Sequence, residues 1–161
     1  MRGICLAGAA LLLASCQSTE PSALDAYSRQ QIDDGVRQMA SSVARDITRD
    51  GPNAWLRYFA DAPGFFMANN GTLQFSSYAE AKTFLNEFSQ GVAHLALTWG
   101  EIRVDPVARG TAVMACPYSE VLTDRKGLTT QYSGYFTGLA VKTDAGWKLR
   151  NAHWSSPLPS P

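Results

Sequence analysis

The hydrophobic period of this chain changes once, at Gly91, and only a fold with helices first and strands after can bury both patterns. Before the change, Ile32, Val36, Met39, Val43 and Ile47 recur at spacings of four, three, four and four, which draws one stripe on a long helix reaching Asp50. Asp50-Gly51-Pro52 stops that helix and restarts a short one, with Trp55, Leu56 and Phe59 on its buried edge. Residues 64–68 and 73–75 read as two short strands around Asn69-Asn70-Gly71, a turn sequence that tolerates positive φ. Ser77 followed by Glu80 resembles a capping box, and Tyr78, Ala81, Phe84, Leu85 and Phe88 give a third helix its apolar face.

After Gly91, four long segments rich in β-branched and aromatic residues run through residues 92–156. In the first, Leu95, Leu97 and Trp99 share one parity and Ile102 and Val104 the other, so a bulge is expected at Gly100. Residues 111–123 and 129–143 face each other across Asp124-Arg125-Lys126-Gly127, and residues 129–143 meet 147–155 across Asp144-Ala145-Gly146. The expected fold is α+β, with three N-terminal helices on the concave face of a curved antiparallel sheet of four long strands plus a small hairpin.

Residues 1–16 carry a different signal. Arg2 gives a positive start, residues 4–14 are apolar but too few to span a bilayer, and Leu13-Ala14-Ser15-Cys16 closes the run. The closing tetrapeptide resembles the bacterial lipobox. That resemblance implies removal of residues 1–15 and a lipid on Cys16, which would hold the chain to a membrane; an ordinary signal peptide with an incidental cysteine is the alternative. Residues 16–27 then form a tether, residues 28–156 the domain, and residues 157–161, proline at every second position, a frayed tail. The expected location is the bacterial cell envelope. Gln17 in place of aspartate after Cys16 implies, by the same resemblance, an outer membrane facing the periplasm where the host has two membranes.

Taking residues 1–15 from 161 leaves 146, enough for one domain with an ordinary core. The 14 basic and 14 acidic side chains become 13 and 14 once Arg2 is removed, and the basic ones are scattered, so nucleic acid is not an expected partner. With Cys5 in the leader and Cys16 occupied, Cys116 has no disulfide partner within the chain and reads as a buried, inert thiol. Two distant histidines, one remaining thiol and no glycine-rich phosphate loop leave no expected metal or cofactor.

The order of elements, and above all the ending Tyr135-Phe136-Thr137-Gly138-Leu139-Ala140-Val141-Lys142, the Asp144-Ala145-Gly146 turn and Trp147-Lys148-Leu149-Arg150-Asn151-Ala152-His153-Trp154-Ser155, resembles the nuclear transport factor 2-like superfamily and its SnoaL-like members. The resemblance implies a cone whose concave sheet and helices enclose a pocket, and often a dimer through the outer sheet face. It implies no one reaction, because relatives include isomerases, dehydratases, cyclases and simple binders.

In the last strand Lys148 and Arg150 alternate with Leu149, Asn151 and His153, so the odd-numbered side chains are expected inward. A three-residue turn would set Thr143 against Trp147, Val141 against Leu149, Leu139 against Asn151, Thr137 against His153 and Tyr135 against Ser155. Carried into residues 111–123, one register brings Met114, Cys116, Tyr118 and Glu120 inward; the other turns Glu120 out. The candidate catalytic pair is His153 with Glu120, in a pocket walled by Tyr118, Tyr135, Thr137, Leu139 and Asn151. The opposing reading makes His153 an ordinary hydrogen-bonding wall residue. Trp154 follows Lys148 to the outer face, where a second subunit would cover it in a homodimer. Three functions fit: a membrane-anchored pocket for a small, largely apolar ligand; an isomerase or dehydratase with His153 as general base; or an envelope protein-interaction module.

Overall fold

The computed structural model describes residues 24–157. The expected leader, Cys16, most of the tether and residues 158–161 of the expected tail lie outside the described residues.

Helix α1 spans Ala26–Asp50, starting within the segment expected as tether. The Asp25 carboxylate caps it by accepting from the Ser28 N–H at 2.6 Å, and Gly51, at φ 79°, ends it by donating to the Ile47 carbonyl at 2.8 Å. All five stripe residues are buried. Asp46 is buried and accepts from the Tyr58 hydroxyl at 2.6 Å, Arg45 at 3.0 Å and Arg57 at 3.2 Å. The Tyr58 bond foremost holds its carboxyl below the usual range. This network fastens α1 to the short segment that follows. That segment, Pro52–Arg57, is a 3-10 helix, with Pro52 at its first position and Trp55 buried.

Strands β1 (Phe66–Asn69) and β2 (Thr72–Phe75) form the expected hairpin, with Asn70 and Gly71 both at positive φ. Helix α2 covers Tyr78–Gly91. Ser77 caps it, accepting from the Glu80 N–H at 3.2 Å, while the Glu80 carboxylate reaches one residue further back and accepts from the Ser76 N–H at 2.7 Å.

The first long segment is two strands, β3 (Val92–Trp99) and β4 (Arg103–Ala108), laid end to end along β5 (Thr111–Asp124). The break falls at Gly100, whose N–H donates to Pro117 at 2.8 Å. Strands β6 (Thr129–Thr143) and β7 (Gly146–Ser155) complete a curved sheet in the order β2-β1-β7-β6-β5, with β3 and β4 on the far edge. β1 joins it by running parallel to β7, Phe66 beside Asn151 and Asn69 beside Trp154. α1 lies across the inner face, held to β3 by bonds from Trp99 Nε1 to Ala40 and from the Leu97 N–H to Thr48.

Two features of the last hairpin correct the expected facing. The turn has two residues, not three: Thr143 pairs with Gly146 and Ala140 with Leu149, so β6 turns its even-numbered side chains inward. β7 then bulges at Arg150, where its outer-edge partner changes from the chain at Tyr58–Ala60, bonded to both sides of the Leu149 peptide, to strand β1. Past the bulge the inward residues are Ala152 and Trp154. Tyr135, Thr137, Leu139, Asn151 and His153 therefore belong to the outer face, although their pairing is as expected.

The end of β7 crosses the inner face at Gly134, where an added Cβ would stand 1.8 Å from the Ser155 carbonyl oxygen. Gly134→Ala is expected to push that crossing away at a cost of about 1–3 kcal/mol. Thermal unfolding checks this, and an unchanged midpoint would contradict the close approach.

Candidate functional site

The wide end of the cone is hollow. The space measures about 330 Å³ and is open on one side. Trp55 and Phe59 form its floor, Met67 and Phe75 come from the hairpin, Phe84, Leu85 and Phe88 from α2, and Leu95 from β3. Tyr118, Glu120 and Leu122 of β5, Tyr132 of β6, and Trp154 with Ser156 close the other wall. The rings interlock: Trp55 stacks on Phe59 at 5.5 Å and meets Trp154 edge-on at 5.4 Å, while Phe136 packs on Trp154 at 4.8 Å. Phe84 and Phe88 stack at 5.6 Å and stay partly exposed, so an aromatic pair lies on the helix α2 side of the hollow.

The polar groups are few. The Tyr118 hydroxyl lies 3.0 Å from Ser156 Oγ, and the Ser156 N–H donates to Asn70 Oδ1 at 2.7 Å, so the residue after β7 is fastened beside the hollow. Asn69 and Gln74 add amides. Glu120 is different in kind. It stands in register between Leu97 of β3 and Tyr132 of β6, and among the described residues its carboxylate accepts no hydrogen bond and joins no ion pair. Burial alone pushes its pKa from 4.5 up to about 7. Such a group exists as acid and base in comparable amounts near neutrality, the condition for holding or moving a proton.

Of the residues expected at the site, Glu120 and Tyr118 are brought together here and the others are not. His153 is exposed on the outer face, in register with Thr137 and Ala68. The pairing of His153 as base with Glu120 as its orienting acid is therefore wrong, for the reason of facing given above. Tyr135 and Thr137 are exposed, Leu139 is half-buried on the same outer side, and Asn151 donates to the Gly64 carbonyl at 2.9 Å. These four do not wall the hollow. Trp154, expected outside, is an inner wall residue, so its ring needs no second subunit to cover it. Cys116 is fully buried and burial raises its thiol to about 11, which leaves it inert. Among the described residues no three His, Cys, Asp or Glu side chains are grouped to hold a metal ion, and no helix is long and apolar enough to cross a membrane.

In sequence, no family model and no curated protein matches the chain. In structure, the likeness is wide. A nuclear transport factor 2-like superfamily protein from Salmonella enterica serovar Typhimurium matches 84% of this chain and 94% of its own at a TM-score of 0.64 and 16% identity. A protein provisionally described as a scytalone dehydratase, from Novosphingobium aromaticivorans, matches 83% of this chain and 89% of its own at 0.73 and 12%. A type 2 hexachlorocyclohexane dehydrochlorinase matches 85% and 93% at 0.67 and 9%. The chain has the nuclear transport factor 2-like cone fold. At these identities the likeness concerns the fold and not a reaction.

Proposed function

We propose that the chain is a lipid-anchored envelope protein of the SnoaL-like kind whose hollow binds a small, largely apolar molecule. One observation carries the binding reading: a space of about 330 Å³ walled by six tryptophan and phenylalanine rings, Trp55, Phe59, Phe75, Phe84, Phe88 and Trp154, with a single unpartnered carboxyl inside. Removing the apolar surface of such a ligand from water supplies the affinity, at about 25 cal/mol per Å², and the few polar groups orient it. Native mass spectrometry of protein purified from its own host is expected to show a retained mass. Repeated empty spectra, with no shift in thermal unfolding across a panel of apolar compounds, would contradict the reading. The lipobox-like end at Cys16 supports the anchor: Cys16→Ala is expected to move the protein from the membrane fraction to the soluble one.

The position of Glu120 favours a second reading, an acid–base enzyme in which this carboxyl alone transfers the proton and the Tyr118 hydroxyl donates to an oxygen gaining charge. Here Glu120→Gln would abolish turnover of a bound compound while its binding persisted.

A further inference from the structure

Glu120 stands in surroundings that select the charge of whatever enters. Among the described residues no lysine, arginine or histidine lines the hollow; the ionisable groups that share it with Glu120 are the two phenols, Tyr118 on its own strand and Tyr132 opposite on β6. β3 contributes Leu95 to the lining, and the helices, the hairpin and the end of β7 bring rings, aliphatic side chains, amides and the Ser156 hydroxyl. A ligand acid would meet a carboxylate with no cation to offset it, in a medium where like charges repel more strongly than in water. A ligand ammonium would give Glu120 the partner the fold withholds, and aromatic faces attract a cation as well. A neutral hydroxyl could donate to the same oxygen, but only the ammonium also offsets the charge of the carboxylate in surroundings less screening than water.

Resting on the binding reading above, we infer that the hollow takes a small apolar amine, its ammonium set against Glu120 and its hydrocarbon body among Trp55, Phe84, Phe88 and Trp154. The amine enters protonated and stays so. Glu120 must be ionised to hold it, so a proton leaves the carboxyl for solvent whenever the site begins in its acid form.

Calorimetric titration with three probes that share one cage and differ in head group tests this: 1-adamantylamine, 1-adamantanol and 1-adamantanecarboxylate. At pH 8 the amine is expected to bind at least tenfold more tightly than the alcohol, and the carboxylate least well. Between pH 8 and pH 6 the amine should weaken about tenfold as Glu120, titrating at about 7, takes up its proton. Glu120→Gln should remove the preference, bringing the amine to the level of the alcohol measured in the same variant. An amine no tighter than the alcohol, or a preference that survives in Glu120→Gln, overturns the choice of an amine and leaves the apolar hollow standing. Failure of both amine and alcohol, repeated with cyclohexylamine and cyclohexanol as smaller bodies, overturns the binding reading and this inference with it.

Discussion

Trp55→Ala is expected to destabilise the protein by about 3–5 kcal/mol, the usual cost of emptying a large aromatic site in a core. The ring is 6% exposed and packs on Phe59 in its own segment, on Trp99 of β3 edge-on at 6.3 Å, and on Trp154 of β7. Its backbone is fixed from below, because Tyr58 and Arg57 hold the 3-10 helix to Asp46 of α1. The rings around the vacancy can therefore collapse only in part, and the cavity term stays large. Domains of this size are stable by only about 5–15 kcal/mol, so the variant should retain a folded population but unfold about 10 °C or more below the parent. Denaturant unfolding measures the loss. A lower midpoint at unchanged slope is the expected result, and a loss under about 1 kcal/mol would mean that the aromatic floor is not packed.

The second large effect is a gain. Glu120→Gln should stabilise the protein by about 2 kcal/mol at pH 8 and by less than about 0.5 kcal/mol at pH 4.5. The sign follows from the direction of the shift. A carboxyl at 4.5 in the unfolded chain and about 7 in the folded one binds more protons when folded throughout that window, so the parent loses stability as pH rises through it. The full shift corresponds to about 3 kcal/mol, and solvent reaching the carboxyl through the open side reduces it to about 2. Glutamine keeps the shape and has no charge to bury. The acidic side chains whose carboxyls lie below their usual range, Asp46 and Asp50 among them, titrate below this window and do so alike in both proteins. Guanidinium unfolding of the two at both pH values isolates Glu120. Equal stabilities at pH 8 would show that the carboxyl is solvated.

Most elements are legible in the sequence because their causes are local. The α1 stripe, the Pro52 restart, the Asn70-Gly71 turn and the Ser77 cap each lie within a few residues of what they determine. The facing of Glu120 is left open between two registers by the sequence, and β5 adopts the one that puts Met114, Cys116, Tyr118 and Glu120 on a common face. The facing of the last hairpin illustrates the opposite case. One residue fewer in the turn and one more at Arg150 cancel in the pairing sum, so Leu139 with Asn151, Thr137 with His153 and Tyr135 with Ser155 are right as pairs. They do not cancel in facing, which the turn sets for β6 and the bulge resets for β7. The cause of the bulge lies at Tyr58–Ala60 and β1, more than eighty residues away, and parallel pairing leaves no turn to announce it. Phe84 and Phe88, one turn apart on α2, are legible as part of an apolar face, but nothing local tells that this face borders a hollow. Trp154 had one available signal: inside the cone a large ring beside the small Ala152 needs no second subunit to cover it.

The claim on which the rest depends is that an uncompensated carboxyl looks into an apolar hollow. Carbon-detected NMR of the glutamate side-chain carboxyls through a pH titration reads it directly, with Glu120→Gln assigning the resonance. The account predicts a midpoint for Glu120 near 7. A midpoint at the ordinary 4.5 would place the group in water and contradict the account.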